Sequence, residues 1–442
     1  MFLIDKDATM NAAVLSQYIQ DFTLNKQSRL KKLKRYYKAD NAVIKDRLIT
    51  DPNRPNYKIA HSFASHITDT HTGYFMGAPI KYSSEDETAV EKIKEIYDYN
   101  DEMSHNLRLE RDASIYGIAY ELLWVQPDGK IRFKDVDPRN SFMIHANDLE
   151  QDPVYFVRMY GSGAAGNESW TIELYDDTSV SRFRVIGNSI LGSLEPIDSR
   201  PHGFGDVPVS VYNNNRDRMG DFERVIPMID AYDSITSNTL NDLENFADAY
   251  LVFKNVDLPE EEMADMRKNR IISYNDSEGN AEIEWLTKAV MDGGAWEGSQ
   301  AKIEEQIYTL SATPNFTDEN FGSYTSDISL KYKLLSLEQK ASIKEREFRV
   351  GIMRRIELIN NLLSLLGNDV YTDINLTFSR TLPVDIRNEM EILATGHGLV
   401  SQETLFGQVS FIEDPAAEAE ALARESSLSL DFDFMNDIED DE

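Results

Sequence analysis

The longest helical pattern of the chain lies between residues 328 and 366. No proline occurs from Ser329 to Leu366, and Gly351 is the only glycine there. Apolar residues recur in this run at steps of three and four, which keeps them on one helical face. They form two groups, first Ile328, Tyr332 and Leu335, then Phe348, Ile352, Ile356, Ile359, Leu363 and Leu366. Asp327 suits an N-cap and Gly367 a left-handed C-cap. The pattern predicts one helix of about 60 Å, typical of a strut or an oligomer-forming element.

A second helix is predicted over residues 221–250, again from apolar spacing. Its large side chains follow one another at steps of three or four, as on a helix that packs against a partner helix. The predicted packing seam consists of Met228, Tyr232, Ile235, Leu243 and Phe246. Residues 295–310 predict a returning helix, so the two helices are expected to lie antiparallel.

Another face of the 221–250 helix is polar and acidic. It holds Asp230, Asp233, Ser237, Asn241, Glu244 and Asp248. No lysine or arginine occurs between Arg224 and Lys254, an interval of 29 residues that contains five acids. Exposed helices usually combine opposite charges at i,i+4 spacing, so this base-free stripe is unusual.

The first 220 residues predict an α+β region. Helical spacing dominates up to residue 114. Residues 115–213 are mostly short runs of β-branched and aromatic residues between Gly, Asp and Asn turns. After the long helix, residues 371–378 alternate as one further strand. We expect that strand to join the sheet of the first region.

Residues 251–294 predict a small insertion between the two antiparallel helices. It comprises a strand at 251–254, a short helix near 260–268, and a hairpin of 270–274 with 281–285. The polar, turn-rich stretch 313–326 predicts a loop before the long helix. Short helices are predicted at 385–399, 401–411 and 414–424. The last twelve residues carry seven acids and no base, which predicts a disordered tail.

Composition narrows the class of protein. The chain has 442 residues, a formal charge of −32 and no cysteine, which favours a reducing compartment. Holding nucleic acid depends on Lys and Arg contacts to phosphate, so the charge argues against DNA binding but not against letting DNA pass. No apolar run reaches the roughly 18 residues of a membrane span, and residues 1–20 lack the layout of a signal peptide. We expect a soluble cytoplasmic chain.

One segment is basic although the chain as a whole is acidic. Residues 14–38 predict a helix, and seven basic residues fall between Lys26 and Lys38. This face is either an anion-binding patch or a solvated face whose charge offsets acids on a neighbouring segment or subunit. The second interpretation is favoured.

Motifs for catalysis are missing or misplaced in the sequence. Residues 161–166 match Gly-x-Gly-x-x-Gly, but a predicted strand follows, so they indicate a hairpin loop and not a dinucleotide site. No P-loop motif occurs. His61, His66 and His71 recur every five residues, a step of about 140° on a helix that prevents them from sharing one metal ion. The sequence predicts no enzyme, no cofactor and no metal site.

Several segments together resemble a known family. They are Tyr36 and Tyr37 with 54–61 and 77–80, then 114–121, then 213–215 with 220–226, and 313–316 followed by 331–338. Their order and spacing resemble the portal proteins of long-tailed bacteriophages of Gram-positive bacteria, the siphophage portal family. The resemblance extends over roughly residues 15–425, and none of its segments is a catalytic motif.

The resemblance implies a portal fold with named parts. Residues 1–220 with 367–383 would be the α/β wing, the helices 221–250 and 295–311 the stem, and 251–294 the α/β clip. Residues 312–327 would be the tunnel loop and 328–366 the long helix. Residues 384–427 would form the helical crown and 428–442 the acidic tail. The tunnel-loop residues expected to act on DNA are Asn315, Phe316, Thr317, Asp318, Glu319, Asn320, Ser323 and Tyr324.

The resemblance also implies a function. Family members form rings of about a dozen subunits at one capsid vertex. Such a ring is the conduit for double-stranded DNA during packaging and ejection. It docks the terminase large subunit and head-completion adaptor proteins, and it nucleates procapsid assembly with scaffold and major capsid protein. Assembly in the host cytoplasm and a final place in the virion are expected. The acidic stripe of 221–250 would line the channel, where like charges keep DNA from sticking.

Two other hypotheses stay open from the sequence. A coiled-coil scaffold without a channel would form dimers or filaments instead of closed rings. A nucleotide-dependent enzyme with a helical arm would bind a nucleotide or a metal ion.

Overall fold

The computed structural model describes most of the chain, with gaps. It covers residues 2–6, 8–48, 55–163, 169–187, 189–247, 250–254, 271–274, 282–286, 293–315, 334–367, 373–380, 386–407, 409, 412, 415 and 418–424. Only the backbone is described at 87, 245–247, 250–254, 271–274, 282–286, 293–295 and 386–389. The chain consists of two compact units, Met1–Arg380 and Thr381–Glu442.

Helices provide much of the first unit. They are α1 (Ala12–Asp21), α2 (Gln27–Tyr37), α3 (Ala42–Lys45), α4 (Phe63–Met76), α5 (Glu87–Asp98), α6 (Glu102–Tyr116), α7 (Ile226–Ala247), α8 (Gly293–Ser311) and α9 (Leu335–Leu365). A π-helical turn, Phe22–Lys26, joins α1 to α2. Asn11 caps α1 because its Oδ1 accepts from the backbone N–H groups of Ala13 and Val14. The predicted helix over 14–38 is therefore confirmed, with a wider turn in its middle.

Two sheets make up the β part of the first 220 residues. Their strands, with the separate β2, are β1 (Phe2–Ile4), β2 (Lys81–Ser83), β3 (Ile118–Val125), β4 (Ile131–Val136), β5 (Ser141–Ala146), β6 (Pro153–Ser162), β7 (Ser169–Tyr175), β8 (Ser179–Ile186), β9 (Ser193–Pro201) and β10 (Val209–Asn213). The larger sheet has the order β1-β5-β6-β7-β8-β9 and is antiparallel except where β1 meets β5. The smaller has the order β10-β3-β4. The predicted α+β class is confirmed.

The hairpin predicted around the glycine motif is confirmed. β6 and β7 pair directly and antiparallel, with Gly161 opposite Trp170 and Ser162 opposite Ser169. The chain therefore turns from strand to strand there, and the described residues place no helix behind the glycines to receive a pyrophosphate.

The main core joins the larger sheet to the helices around it. Leu15 and Ile19 of α1 and Ile144 and Val157 of the sheet are almost fully buried in one cluster. The same cluster includes Ile229 at the start of α7. The helix pair that follows residue 220 is thus rooted in the core of the first region.

The long helix is α9, which has 31 residues and so extends about 46 Å. The predicted start of this helix, 328–333, lies outside the described residues. At the other end Gly367 has a φ of +77°, so the predicted left-handed C-cap is confirmed. Phe348, Ile352 and Ile356 are buried, as the apolar spacing predicted, whereas Leu335 and Leu366 at the two ends of the predicted face are 50% and 61% exposed.

The single glycine inside α9 is explained by packing. A Cβ atom at Gly351 would lie 2.4 Å from the ring of Tyr212 on β10. Tyr212 is fully buried, packs on Phe348 with ring centroids 4.6 Å apart, and donates its hydroxyl to Glu121 at 2.7 Å. Glycine therefore lets the helix backbone approach an immobile ring.

One further strand follows the long helix. β14 (Asn375–Thr377) pairs antiparallel with β2. The expectation that it joins the sheet of the first region is wrong in detail: β14 and β2 form a separate two-stranded sheet within that region. Its pairing partner was decided by the position of β2, which the alternation of 371–378 does not encode.

Between the two helices of the pair, the chain forms a small three-stranded sheet. α7 and α8 pack against each other, and between them come β11 (Tyr250–Lys254), β12 (Ile271–Tyr274) and β13 (Glu282–Leu286). β11 is central, parallel to β12 and antiparallel to β13. The predicted hairpin of 270–274 with 281–285 is therefore wrong, because the two strands flank β11 instead of pairing with each other. The predicted helix at 260–268 lies outside the described residues.

The second unit contains short helices. They are α10 (Ile386–Gly396) and α11 (Gln402–Phe406), followed by helical residues 418–424. Ser401 caps α11 by accepting from the N–H of Thr404, and Leu405 is buried against Gly396. The predicted tail, 428–442, lies outside the described residues. In the part of the chain that the structure describes, no helix is both long and apolar enough to cross a membrane.

Candidate functional site

An extended segment, residues 57–61, lies along α7 and bonds to its polar stripe. The N–H of Tyr57 donates to Asn241 Oδ1 at 2.7 Å, and the N–H of Ile59 donates to Ser237 Oγ at 3.1 Å. Ser237 has no exposed surface, and Asn241 is nearly buried. The helix side chains thus satisfy backbone donors that would otherwise be orphaned on burial.

Two aspartates complete this contact. Asp233, fully buried, accepts from the N–H of His61 at 3.0 Å and lies 2.7 Å from Nδ1 of the same histidine. It also accepts from Asn41 Nδ2 at 2.8 Å. Asp230 accepts from the hydroxyl of Tyr36 at 2.6 Å. Burial, then the hydrogen bond to Asp230, raises the pKa of Tyr36 well above its usual value.

The polar stripe predicted on α7 is therefore not a row of free groups. Asp230, Asp233, Ser237 and Asn241 bond to side chains and backbone 172 to 194 positions earlier in the chain. Sequence reasoning missed these partners because nothing local to α7 indicates them. Glu244 is exposed. Asp248 lies outside the described residues, and the channel-lining role of the stripe stays a prediction.

Part of the predicted seam packs inside the chain. Met228 and Tyr232 rest against the main core, and the ring of Tyr232 meets Phe63 edge-on at 5.0 Å. Ile235 is half-buried and Leu243 is 52% exposed. The side chain of Phe246 lies outside the described residues. A role of the seam between subunits stays a prediction.

Polar contacts fix α7 against α8. The hydroxyl of Tyr232 reaches Glu304 at 3.4 Å, and Gln300 Nε2 donates to Thr236 Oγ1 at 3.0 Å. The two helices therefore form one body next to the 57–61 segment.

The predicted loop after α8 begins at a buried base. Ser311 and Thr313 are buried, and the hydroxyl of Ser311 donates to that of Thr313 at 2.9 Å. His71 Nε2 of α4 lies 3.1 Å from Thr313 Oγ1. Lys340 of α9 donates to the carbonyl of Ser311 at 2.7 Å. The start of the loop is thus clamped between α4 and α9.

Most of the predicted loop residues cannot be placed beyond this base. Asn315 is described and half-buried. The others, outside the described residues, are Phe316, Thr317, Asp318, Glu319, Asn320, Ser323 and Tyr324.

A buried ion network lies behind the loop base. Lys344 Nζ of α9 is 2.5 Å from Glu110 Oε1 of α6 and 2.7 Å from Asp221 Oδ2. All three side chains are at most 3% exposed. Asp221 also accepts from Ser114 Oγ at 2.6 Å and Asn214 Nδ2 at 3.0 Å. The network connects the long helix α9, the helix α6 and Asp221, which precedes the helix pair.

Burial and charge set the protonation of this network. Burial raises the pKa of Glu110 to about 7 against the opposing charge of Lys344. Burial acts to raise the pKa of Asp221, but the positive charges of Lys344 and Lys340 hold it well below the usual range. Burial lowers the pKa of His71 to about 3, so its ring is neutral near pH 7. The charges remain closely matched where water is excluded.

A second buried network lies further along α9. Arg355, fully buried, holds Glu121 of β3 through two bonds of 2.8 and 2.9 Å and donates to Asn106 at 2.8 Å. Its guanidinium also lies 4.6 Å from the centre of the Phe133 ring. Although burial opposes ionisation, Arg355 and His105 keep the pKa of Glu121 at about 2. This bidentate pair fixes the rotation of α9 against the smaller sheet.

Both arginines of the basic helix α2 pair with acids of the same chain. Arg29 pairs with Glu223 at 2.5 Å, and Arg35 pairs with Asp40 and Asp46 at 2.7 and 2.9 Å. These contacts confirm, for the two arginines, the interpretation that the basic face offsets neighbouring acids.

The contacts around Asp233, Thr313, Lys344 and Arg355, which we call the junction, are structural contacts between elements of the chain. The three histidines act separately, since His61 bonds Asp233, His71 bonds Thr313, and His66 meets the ring of Tyr308. Within the described residues, no cluster of three or more His, Asp or Glu is arranged to hold a metal ion. What the geometry achieves is to tie the helix pair, the loop base and the long helix to one core.

Comparison with known proteins identifies the family of the chain. A family described as phage portal protein, SPP1 Gp6-like, matches residues 16–428. The chain belongs to this family. Its members are structural components of phage particles, and the chain has their portal role at the capsid vertex.

Two relatives agree with this membership. The portal protein of Bacillus phage SPP1 is 26% identical over 443 residues, covering 92% of this chain and 85% of the relative. The portal protein of Clostridium phage phiCD119 is 22% identical over 413 residues, covering 88% and 90%. The similarity therefore extends over nearly all of each portal protein, including the junction described above.

Proposed function

We propose that this portal family member acts as a closed ring of about twelve copies through which double-stranded DNA is packaged and ejected. The supporting observation is the family match over residues 16–428, nearly the whole chain. A coiled-coil scaffold without a channel has no comparable support.

In this proposal the described elements take the parts of a portal subunit. Residues 1–220 with 367–383 are the wing, α7 and α8 the stem, and β11–β13 the core of the clip. Residues 312–327 are the tunnel loop, α9 belongs to the long helix, and 384–427 form the crown. The packing of α7 on α8 and the clamped base at Ser311 and Thr313 support the placing of stem and loop.

The proposed partners follow from the same role. They are further copies of the chain, double-stranded DNA that passes through without sequence-specific binding, the terminase large subunit, scaffold and major capsid protein, and a head-completion adaptor. Assembly takes place in the host cytoplasm and ends at the unique vertex of the virion.

The channel-facing charge on the stem is placed on Glu244. Residues 57–61 cover Asp233 and Ser237, whose side chains have no exposed surface. Glu244 on the same stripe is exposed, although it accepts a hydrogen bond from the side chain of Tyr57. A negative group there repels phosphate at short range and so lets DNA slide.

Charge reversal at this position tests the proposal. Electron microscopy of the purified wild-type chain is expected to show closed rings with an axial hole. Glu244→Lys is expected to keep the rings and to lower the DNA content of assembled particles, because a lysine in the wall retains phosphate. Glu91→Lys, an exposed acid on α5, serves as the matched control and leaves filling unchanged. Normal filling in Glu244→Lys particles would remove Glu244 from the channel wall, and dimers or filaments would refute the ring.

A further inference from the structure

One face of the long helix is exposed although it carries large aliphatic side chains. Ile343, Val350 and Met353 are 48%, 66% and 38% exposed. With the exposed Arg346 between them, they follow one another at steps of three and four, the spacing of a helix that contacts a partner along a seam. Such a stripe on a well-packed helix indicates an interaction surface.

Two cavities extend this stripe on either side of the turn 214–219. One, of about 320 Å³, lies between that turn and α9, with Leu310 and Ile343 in its wall. The other, of about 930 Å³, lies on the far side of the turn, with Val350, Val209 and Val211 in its wall. The surface is therefore a ridge with a recess on each flank, and each recess has a few aliphatic side chains among polar and charged ones in its wall.

Arginines without partners line the same ridge. Among the described residues, Arg216, Arg218 and Arg346 make no side-chain hydrogen bond or ion pair, whereas three acids of the same surface are paired. Asp206 and Glu357 pair with Arg354 at 2.7 and 2.9 Å, and Asp217 lies 3.5 Å from Arg224. We call Arg216, Arg218, Ile343, Arg346 and Val350 the arginine face. Three free cations on one face stand out in a chain with 77 acids and 45 lysines and arginines.

We propose that the arginine face is the surface by which one copy of the chain contacts the next copy in the ring. Arginine interleaved with large aliphatic side chains is typical of protein interfaces, whereas DNA-binding surfaces are more uniformly polar and basic. The partner must be acidic, and a second copy with a charge of −32 meets that condition. In a ring the contact is heterologous, so the arginine face meets a different, acid-rich face of the neighbour.

The inference rests on the proposed ring and is tested in the full-length chain by native mass spectrometry. Ile343→Asp with Val350→Asp is expected to lower the ring fraction about tenfold or more and to leave folded single subunits. The matched control is Leu24→Asp with Ile186→Asp, two aliphatic residues that are 59% and 55% exposed and lie off this face. The control is expected to form rings as the wild type does. Circular dichroism and thermal unfolding establish that each variant is folded.

A second variant covers the case in which the aspartates prevent folding. Arg216→Glu with Arg346→Glu leaves the aliphatic side chains in place and is expected to weaken the ring, the more so at low salt. Rings that persist in both variants overturn the inference while leaving the proposed function intact. If those rings then release a short DNA duplex that wild-type rings retain, the face contacts nucleic acid instead. A wild-type chain that forms no closed ring overturns both proposals.

Discussion

At the scale of single residues, the junction depends on polar groups that are buried and matched. Lys344 neutralises Asp221 and Glu110, and Arg355 neutralises Glu121, all with almost no exposed surface. Removing one member of such a pair leaves an uncompensated charge in the core. These residues therefore fix α9 in one position relative to α6 and β3.

His71 makes the stability of the junction depend on pH. Its pKa is about 3 in the folded chain against an ordinary value of 6.5, so only the unfolded chain takes up a proton between these values. The contribution of the neutral ring is fully present above pH 6.5 and is lost as the pH falls toward 3, at about 1.4 kcal/mol per pH unit. We expect His71→Gln to lack this loss.

Urea unfolding at several pH values measures the effect. The free energy of unfolding of the wild type should decline more steeply below pH 6.5 than that of His71→Gln. His66→Gln, on the exposed face of the same helix, should follow the wild type. Parallel curves for wild type and His71→Gln would contradict the assignment.

At the scale of elements, α9 organises the first unit because it is held along most of its length. Its buried side packs on β10 and α4, and its ion pairs reach α6 and β3. The outward side carries the arginine face. One helix therefore serves both the interior of a subunit and, by our inference, its contact with the next.

A pair of glycine substitutions separates packing from helix preference. Gly351→Ala places a methyl group 2.4 Å from the buried ring of Tyr212 and should destabilise the chain by about 1–3 kcal/mol. Gly73→Ala, inside α4 with nothing within 4 Å of the added atom, should stabilise it by about 0.5–1 kcal/mol. Thermal unfolding of both variants is the measurement. A stabilised Gly351→Ala would show that Tyr212 moves freely.

At the scale of the whole molecule, the loop between α8 and α9 starts from a fixed base. Ser311 and Thr313 are bonded to His71 and Lys340, so the residues beyond the base are not needed to hold the helices there. In the proposed ring, those residues surround the DNA.

Deleting residues 316–325 tests whether the base alone holds the helices and the residues beyond it act on DNA. We expect the shortened chain to fold and form rings, because the described base remains, and to fail in DNA packaging when introduced into particles. Deleting 164–168 from the β6–β7 loop is the control and should leave packaging normal. If the 316–325 deletion abolished rings, the loop would have a role in assembly instead.

The accuracy of the sequence predictions depended on the range of the interactions involved. The helix face of Phe348, Ile352 and Ile356 and the cap at Gly367 were predictable because spacing and glycine act within a few residues. The hairpin at 270–285 and the sheet partner of β14 were predicted wrongly, since strand pairing joins distant segments. The same limit hid the partners of Asp233 and Ser237, whose charge and spacing suggested a free surface.

By itself, the sequence determined the α+β class, the long helix, the helix pair with its insertion, and a family-wide order of segments specific enough to indicate a portal protein. These follow from local periodicity and from motif spacing, which the chain carries wherever it folds. Only the tertiary structure decided that residues 57–61 cover the acidic stripe, that Lys340 and His71 clamp the loop base, and that arginines stand free along α9. Burial and ion pairing are properties of groups brought together from remote positions, so no stretch of the sequence contains them alone.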